Sequence, residues 1–347
     1  MRISLLTASA VSLLIAVSLS GPALPQEAKP DPQMQAVLDA LKELDAKPFH
    51  TLSVPEARTQ ASAADAARTV QREKKISPYP EIKVATKDIA IPTAAGALPA
   101  RVYMPEGEGP FPVIVYFHGG GWVVADINTY DATPRALAIG AEAMVISVDY
   151  RHAPESKFPA QHEDAWAAYT WTVENVHTLN GDSSRIAVAG ESAGANLAAN
   201  VAIKAKEEKT KMPAHQLLVY PIAGNDTNTP SYRENENATP LGKADMEWFV
   251  SHVFTSNEQT ADPRINLVGR SDLGGLPAAT VVLAQIDPLR SEGETYAEKL
   301  KAAGVKVNLI KVNGVTHEFF GMAKVVDKAK AAVDAANADL RDALAKK

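Results

Sequence analysis

Short runs of apolar residues alternate along the chain with longer segments in which apolar residues recur every three or four positions. The short runs are typical of strands buried on both faces, and the longer segments are typical of helices with one buried face. The predicted strands lie at 83–91, 98–104, 113–117, 143–148, 185–189, 216–220, 279–284 and 305–312. Because strands and helices alternate after the first two strands, we predict an α/β fold with a mostly parallel central sheet and helices on both faces.

Turn residues and apolar spacing refine this outline. Only residues 93–96 separate the first two strands, which predicts a hairpin. Ser53 and Glu56 have the spacing of a helix N-cap and its reciprocal partner. Segment 224–275 interrupts the alternation, and we predict that it crosses the carboxyl edge of the sheet, where active sites of open α/β sheets lie. The predicted helices cover 34–44, 53–72, 158–175, 197–205, 243–253, 291–303 and 322–344.

The chain divides into three predicted parts. Arg2 is followed by a run of uncharged apolar or small residues to Ser20, and a Gly-Pro pair then breaks the segment. This pattern predicts a signal peptide over residues 1–26 and export to the periplasm or the medium. Because the run is about 18 residues long, a retained membrane anchor is the alternative. Residues 27–78 form a predicted linker and helical N-terminal cap, and residues 79–347 form the predicted α/β domain.

Composition and charge narrow the classes of function. The chain has 347 residues, of which 46% are hydrophobic and 22% are charged, as in ordinary globular proteins. Its formal net charge is −6 and it has no long basic run, so we expect no nucleic-acid partner. It contains no cysteine, which excludes disulfides, thiolate metal sites and a cysteine nucleophile.

One sharp turn contains a candidate nucleophile. The segment 190–194 has the pattern Gly-x-Ser-x-Gly, and it follows the apolar run 185–189 and precedes a helical pattern. Such a turn between a strand and a helix exposes the serine hydroxyl and points the helix N-terminus at it. Its glycines allow a close backbone approach that a side chain would block. Ser192 is therefore the candidate nucleophile, although the pattern alone also fits a glycine-rich turn of another doubly wound protein.

A serine nucleophile needs a base, and the base needs a group that orients it. After this kind of turn, an acid and then a histidine follow the serine in the chain. Asp287 stands directly past a predicted strand, which Pro288 ends. His317 follows the next predicted strand. Both side chains are therefore expected at the sheet edge that holds Ser192; the alternative for His317 is an ordinary surface-loop histidine.

A glycine run forms the other half of the predicted site. The sequence His-Gly-Gly-Gly at 118–121 directly follows the apolar run 113–117. Acyl transfer places negative charge on a carbonyl oxygen, and backbone N–H groups without neighbouring Cβ atoms can approach that oxygen. The motif supplies oxyanion holes in lipases and esterases, together with the N–H of the residue after the nucleophile, here Ala193. A flexible glycine loop is the alternative.

With these motifs the chain resembles the hormone-sensitive-lipase-like group of bacterial α/β-hydrolases, from about residue 79 to the C-terminus. The matching segments are 118–122, 149–155, 190–194, 287–290 and 317–319. The resemblance implies the α/β-hydrolase fold, with residues 79–347 as the catalytic domain and with no metal or organic cofactor. The implied catalytic triad is Ser192, His317 and Asp287. The implied oxyanion donors are Gly120, Gly121 and Ala193, with Gly119 and His118 as supporting neighbours.

The resemblance also assigns scaffold residues and shows two departures. The implied ion partners of the scaffold are Arg151, Glu155, Asp164 and Arg290. The group usually has Leu where this chain has His152, and Gly where this chain has Ala195. Neither difference touches the implied triad, and no role for His152 follows from the sequence.

These residues predict a serine carboxylesterase that hydrolyses small, short-chain acyl esters through an acyl-enzyme. A hydrolase that cleaves amides or peptides with the same triad is one alternative. A non-catalytic small-molecule binder is another, which the presence of His317 disfavours because such relatives typically lose the histidine. The predicted partner is a small ester, no metal is expected, and no oligomeric state is predicted.

Overall fold

The computed structural model describes residues 28–77 and 83–346, so the predicted signal peptide lies outside the described residues. Within them, one sheet is formed by the strands β1 (Val84–Thr93), β2 (Gly96–Pro105), β3 (Phe111–Phe117), β4 (Met144–Val148), β5 (Gly181–Glu191), β6 (Gln216–Val219), β7 (Ala279–Ile286) and β8 (Val307–Thr316). Their order across the sheet is β1-β2-β4-β3-β5-β6-β7-β8. β1 and β2 form the predicted hairpin, and β2 pairs antiparallel with β4. All other neighbouring strands are parallel, so the predicted mostly parallel sheet is confirmed.

Helices cover both faces of the sheet. They are α1 (Pro32–Glu43), α2 (Val54–Thr59), α3 (Ala63–Glu73), α4 (Ala132–Gly140), α5 (Ala160–Asn175), α6 (Ala193–Glu207), α7 (Pro230–Glu234), α8 (Lys243–Val253), α9 (Arg290–Ala302) and α10 (Asp327–Leu344). Among the described residues, no helix combines the length and the apolar character needed to cross a membrane.

The buried side chains of β3 alternate between the two faces of the sheet. Val113, Val115 and Phe117 lie in one apolar cluster with α5, α6 and α9. Ile114 and Tyr116 lie in a second cluster with α4 and α10. Because both clusters exclude water, β3 is buried on both faces, as its uninterrupted apolar sequence predicts. The carboxyl end of β3 is therefore a fixed support for the loop that follows it.

The prediction of a single helix over 53–72 is wrong. The chain forms α2 and α3 with a break before Ala63, and Ser62 is the N-cap of α3. The N–H of Asp65 donates to Ser62 Oγ at 3.2 Å, and an Asp65 carboxylate oxygen accepts from the N–H of Ser62 at 2.9 Å. This reciprocal pair satisfies N–H groups at a new helix start, so the chain can change direction there.

Of two other predicted helix starts, the one at Ser53 is confirmed and the one near Met322 is wrong. At the start of α2, Glu56 accepts a hydrogen bond from the N–H of Ser53 at 2.9 Å, as its spacing predicts. The last helix begins at Asp327 and not near Met322, because residues 319–322 form a 3₁₀ turn. The apolar residues before α10 are buried all the same. The spacing of these apolar residues therefore reflects their burial in the core and does not mark an α-helix.

Helix α1 is bound to the end of the last strand. The N–H of Asp31 donates to the carbonyl of Gly314 at 2.8 Å, and the Lys328 ammonium lies 3.2 Å from the Asp31 carboxylate. The side chain of Gln33 donates to Asp327, 294 residues further along the chain, at 2.9 Å. Helix α3 packs in turn against α1. These contacts place the N-terminal helices beside the carboxyl end of β8.

Candidate active site

The turn between β5 and α6 presents Ser192 in a strained backbone conformation. Ser192 has φ 56° and ψ −118°, and Ala193 begins the helix. The N–H of Ser192 donates to the carbonyl of Val219 on the neighbouring strand at 2.9 Å. A Cβ atom on Gly194 would lie 2.0 Å from the carbonyl oxygen of Phe117. Only glycine fits there, which agrees with the sharp strand-to-helix turn expected from the motif.

Asp287 and His317 form a buried hydrogen-bonded pair. Asp287 directly follows β7 and His317 directly follows β8, which are adjacent parallel strands. His317 Nδ1 donates to Asp287 Oδ2 at 2.7 Å, and Asp287 Oδ1 accepts from the N–H of Leu289 at 2.9 Å. Asp287 is fully buried and His317 is 3% exposed. This arrangement fixes the ring and leaves its Nε2 able to accept a proton.

The structure brings most of the predicted site residues to one cavity. Ser192, His317, Gly120 and Gly121 all line a cavity of about 340 Å³ at the carboxyl edge of the sheet. Asp287 lies behind His317 and does not line the cavity. The supporting neighbours of the oxyanion loop, His118 and Gly119, and the helix residue Ala193 also lie outside the lining.

The glycine loop after β3 has the geometry of an N–H donor site. Gly120 has φ +93°, a conformation that favours glycine. Within the described part of the chain, the N–H groups of Gly120 and Gly121 donate to no protein acceptor. Ala193 is the first residue of α6, so its N–H has no acceptor inside the helix. The Tyr150 hydroxyl lies 2.9 Å from the carbonyl oxygen of His118 and 3.1 Å from that of Gly119, which restrains the loop from behind.

Glu318 is a site residue that sequence reasoning missed. Its Oε1 lies 4.0 Å from His317 Nε2 and accepts a hydrogen bond from the Tyr130 hydroxyl at 2.6 Å. Glu318 has φ 71°, and this left-handed conformation is part of the turn that begins right after His317. Its position next to the predicted base was the only signal in the sequence.

A second buried carboxylate lies next to the nucleophile. Glu191 accepts hydrogen bonds from the hydroxyl groups of Tyr116, at 2.6 Å, and Tyr220. The ring of Tyr220 packs against that of His317, with centroids 4.3 Å apart. Glu191 is therefore linked through Tyr220 to one face of the candidate base.

Burial and charge shift the pKa values of these groups in different directions. Burial alone would lower the pKa of His317, but the charge of Asp287, its hydrogen bond and the charge of Glu318 outweigh burial and raise that pKa. Burial and the charge of Glu318 raise the pKa of Glu191 to about 6, against the hydrogen bonds from its tyrosine partners. Burial lowers the pKa of His152 to about 4, with the neighbouring His118 acting in the same direction.

The walls of the cavity come from two segments outside the α/β core. Phe49 and Ala57 come from the N-terminal helical segment, and Leu241, Met246 and Phe249 come from the excursion that contains α8. All but Phe49 are buried, and the ring of Phe49 packs against that of Phe249 at a tilted angle of 54°, with centroids 5.2 Å apart. The cavity therefore has the polar groups of Ser192 and His317 on one side and apolar walls on the other, as in sites for small, mostly apolar ligands.

The residues implied as scaffold ion partners all form ion pairs, and none of the four lines the cavity. The guanidinium of Arg151 lies 2.7 Å from the carboxylate of Asp164. Arg58 lies 2.7 Å from Glu155, and Arg290 pairs with Glu234 on α7. A different polar group, His118 with Asp149 and His152, lies behind the glycine loop and outside the cavity lining. Among the described residues, it is the one group of three such side chains whose possible ligand atoms lie within 4.8 Å of one another.

Comparisons with known proteins identify relatives of the chain. A family model described as alpha/beta hydrolase fold matches residues 114–321. The chain is 40% identical over 297 residues to the carboxylesterase NlhH of Mycobacterium tuberculosis, which covers 84% of this chain and 92% of that protein. It is 32% identical over 287 residues to the ethyl acetate hydrolase of Pseudomonas putida, over 81% of this chain and 88% of that protein. The solved structure of a hyperthermophilic esterase from the archaeon Pyrobaculum calidifontis matches with a TM-score of 0.82 at 34% identity, over 91% of this chain and 100% of that chain.

Proposed function

The chain belongs to the hormone-sensitive-lipase-like family of the alpha/beta hydrolase fold and is a carboxylesterase, and we propose that Ser192, His317 and Asp287 are its catalytic triad. The observation that supports this assignment most directly is the buried His317–Asp287 hydrogen bond of 2.7 Å. It orients the imidazole at a cavity that Ser192 also lines. The strained turn at Ser192 is a second support, because it exposes the hydroxyl at the end of a helix.

In the proposed acylation step, His317 Nε2 takes the proton of Ser192 while Ser192 Oγ attacks the ester carbonyl. The carbonyl π bond breaks and negative charge moves to the oxygen. The N–H groups of Gly120, Gly121 and Ala193 are proposed to bind this oxyanion. His317 then gives its proton to the leaving alkoxide as the ester C–O bond breaks, so the alcohol leaves and the acyl group remains on Ser192.

Deacylation repeats the same proton transfers with water as the nucleophile. His317 takes one proton from water, and the resulting hydroxide oxygen attacks the acyl carbon. When the tetrahedral intermediate collapses, Ser192 Oγ leaves and receives the proton from His317. Asp287 keeps its charge throughout and stabilises the imidazolium that forms in both steps.

We propose that the natural substrates have short acyl chains. A cavity of about 340 Å³ lies near the lower end of the range for small-molecule sites. Phe249 packs directly above the oxyanion loop, because a Cβ on Gly121 would lie 2.3 Å from its ring. The relative named ethyl acetate hydrolase supports the same substrate class.

We also propose that three segments of the chain have different roles in this activity. Residues 1–26 would direct export and be removed, on the pattern of Arg2 followed by an uncharged apolar run. Helices α1 to α3 within residues 27–78 would act as a cap, since Leu41, Phe49 and Ala57 line the cavity. Residues 79–347 would form the catalytic domain.

One pair of measurements tests the assignment. Purified mature protein is offered p-nitrophenyl acetate, butyrate, octanoate and palmitate, and is separately treated with a fluorophosphonate followed by peptide mapping. We expect the highest kcat/KM with the short esters and a single label on Ser192. Substantial turnover by folded Ser192→Ala, or a label on another serine, would contradict the triad. A preference for palmitate would contradict only the proposed chain length.

A further inference from the structure

Three neighbouring residues behind the oxyanion loop each have a buried polar atom without a hydrogen-bond partner among the described residues. These atoms are His118 Nε2, Asp149 Oδ1 and His152 Nε2. One possible ligand atom from each of the three residues lies within 4.8 Å of those of the other two. His118 Nε2 is 3.7 Å from Asp149 Oδ1. Buried polar atoms are normally satisfied, so three such atoms in one place indicate a missing partner.

The hydrogen bond at the other nitrogen of His118 defines what that partner must be. His118 Nδ1 lies 2.8 Å from the carbonyl oxygen of Gly119, and a carbonyl can only accept, so Nδ1 bears the proton. In the neutral ring, Nε2 therefore presents a lone pair towards the Asp149 carboxylate, which is also an acceptor. His118 is fully buried, so bulk water does not relieve this contact. With a neutral ring, a cation or a hydrogen-bond donor placed between the two groups would satisfy both of them.

His152 adds a third acceptor to the same space. Its ring packs edge-on against the rings of His118, at a centroid distance of 5.5 Å, and Tyr150, at 5.4 Å. His152 lies four residues after the end of strand β4. In the sequence, Asp149 directly precedes Tyr150 and His152 follows it by two residues. Two imidazole nitrogens and one carboxylate oxygen thus converge from two separate loops.

We propose that His118, Asp149 and His152 bind a divalent transition-metal ion, with Zn²⁺ as the best match to this donor set. Two imidazoles and a carboxylate with one further position for water form a common zinc arrangement. Ligating histidines generally donate their second ring N–H to a carbonyl or carboxylate, as His118 does to Gly119. The donor atoms would move together by small side-chain rotations on binding, since zinc–ligand distances are about 2.0–2.2 Å. The side chain of Asp149 is 28% exposed, which gives an ion a route from solvent.

Such a site would act on the oxyanion loop without taking part in the reaction. His118 begins the loop, and Tyr150, which stacks on His118 at 4.4 Å, approaches the loop carbonyls through its hydroxyl. A bound ion would tie this loop to the segment after β4. Its expected effect is therefore greater thermal stability of the folded protein, and the proposed triad chemistry does not depend on it.

The test measures metal binding directly, on tag-free mature protein stripped with EDTA. Calorimetric titration with Zn²⁺ is expected to show one site per chain, and Co²⁺ is expected to give the visible absorption of a low-symmetry site. Zn²⁺ should also raise Tm. His152→Leu should weaken Zn²⁺ binding more than about tenfold and abolish the rise in Tm. Asp149→Asn, which preserves the shape of the side chain, should weaken binding in the same way.

His177→Leu is the matched control, because His177 is an exposed histidine in the 3₁₀ turn after α5 and lies outside the group. It should leave Zn²⁺ affinity unchanged. The proposal is overturned if the parent protein binds no stoichiometric Zn²⁺, if His152→Leu and Asp149→Asn bind it as tightly as the parent, or if a high-resolution crystal grown with Zn²⁺ shows a water between the three side chains. Because none of these measurements uses esterase activity, they stand apart from the test of the triad.

Discussion

Glu318 Oε1 lies 4.0 Å from Nε2 of His317, the ring nitrogen that Asp287 does not contact. The candidate base therefore has a carboxylate near each of its two nitrogens. Burial lowers the pKa of His317, but the charges of Asp287 and Glu318 outweigh burial and raise it. Because Glu318 also lines the cavity, its charge faces the position where a substrate would bind.

We predict that Glu318→Gln shifts the acidic limb of the pH–activity profile to lower pH. His317 has to be neutral to accept the Ser192 proton, so activity rises as pH increases through the pKa of His317. Removing one of the two nearby negative charges lowers that pKa, and the neutral base is then present at lower pH. The profile of kcat/KM with p-nitrophenyl acetate measures the shift.

The matched control for this variant is Glu174→Gln, an exposed carboxylate on α5 that does not line the cavity. It removes the same charge from the protein and should leave the acidic limb in place. A Glu318→Gln profile that coincides with the parent profile, or that moves to higher pH, would contradict the electrostatic role of Glu318.

The triad should behave as one unit in a mutant series. Ser192→Ala and His317→Ala should each lower kcat by at least about a thousandfold, and the double variant should be little worse than either single variant. Asp287→Asn should favour the wrong imidazole tautomer and lower kcat by up to about ten-thousandfold, the size of the loss in the serine-protease precedent. Additive losses in the double variant would argue against a shared mechanism.

The identity of the acid has its own controls. Asp262 and Asp272 follow Ser192 in the chain, as the acid of the triad should. Asp262 pairs with Arg264 at 2.8 Å, and Asp272 pairs with Arg270 at 2.6 Å. Replacing either by Asn should therefore leave kcat close to that of the parent. If Asp287→Asn kept a kcat close to that of the parent, another carboxylate would have to be the acid of the triad.

Phe249 should limit the acyl chain that the cavity accepts. Phe249→Ala removes an aromatic wall, so kcat/KM for p-nitrophenyl octanoate should rise relative to that for the acetate. The same change should lower the free energy of unfolding by about 2–3 kcal/mol, less than in a full core because one side of the ring faces the cavity. Phe254→Ala is the control: Phe254 is equally buried but lies outside the lining, so its removal should cost stability without changing the ratio.

Export is tested on the natively expressed protein. If residues 1–26 are a signal peptide, N-terminal sequencing of the protein from the periplasm or medium should begin between Gly21 and Lys29. An intact Met1 on protein from the membrane fraction would favour the retained anchor. An intact Met1 on protein from the cytoplasm would contradict export altogether.

Those parts of the fold that depend on short stretches of sequence could be predicted from the sequence. Uninterrupted apolar runs mark strands buried on both faces, and the run before Gly190 belongs to the strand that ends at Glu191, directly before Ser192. Asp287 and His317 could be placed at the same edge because carboxyl ends of parallel strands meet there. A helix was predicted near 243–253, and α8 forms there.

Features that depend on side-chain contacts across the fold were not predictable. The break at Ser62 is a local exception: Ser62 and Asp65 have the same kind of cap spacing as Ser53 and Glu56, and the sequence analysis missed it within a continuous helical pattern. The role of Glu318 depends on a left-handed turn and on Tyr130, which is 188 residues away in the chain. The cavity walls combine Phe49 with Phe249, and no local pattern relates these two rings. Such long-range contacts appear only when the elements have packed.

The contact between helix α1 and the start of helix α10 joins segments that are made far apart in time when the chain is synthesised. The helix that includes Gln33 is made early, but its partner Asp327 emerges 294 residues later. Closing so distant a contact is slow, because a long loop has to be ordered before any packing compensates for it. His317 lies on the same late segment. A nascent chain therefore lacks both the proposed base and the Gln33–Asp327 contact until the segment from 317 to 327 has been made.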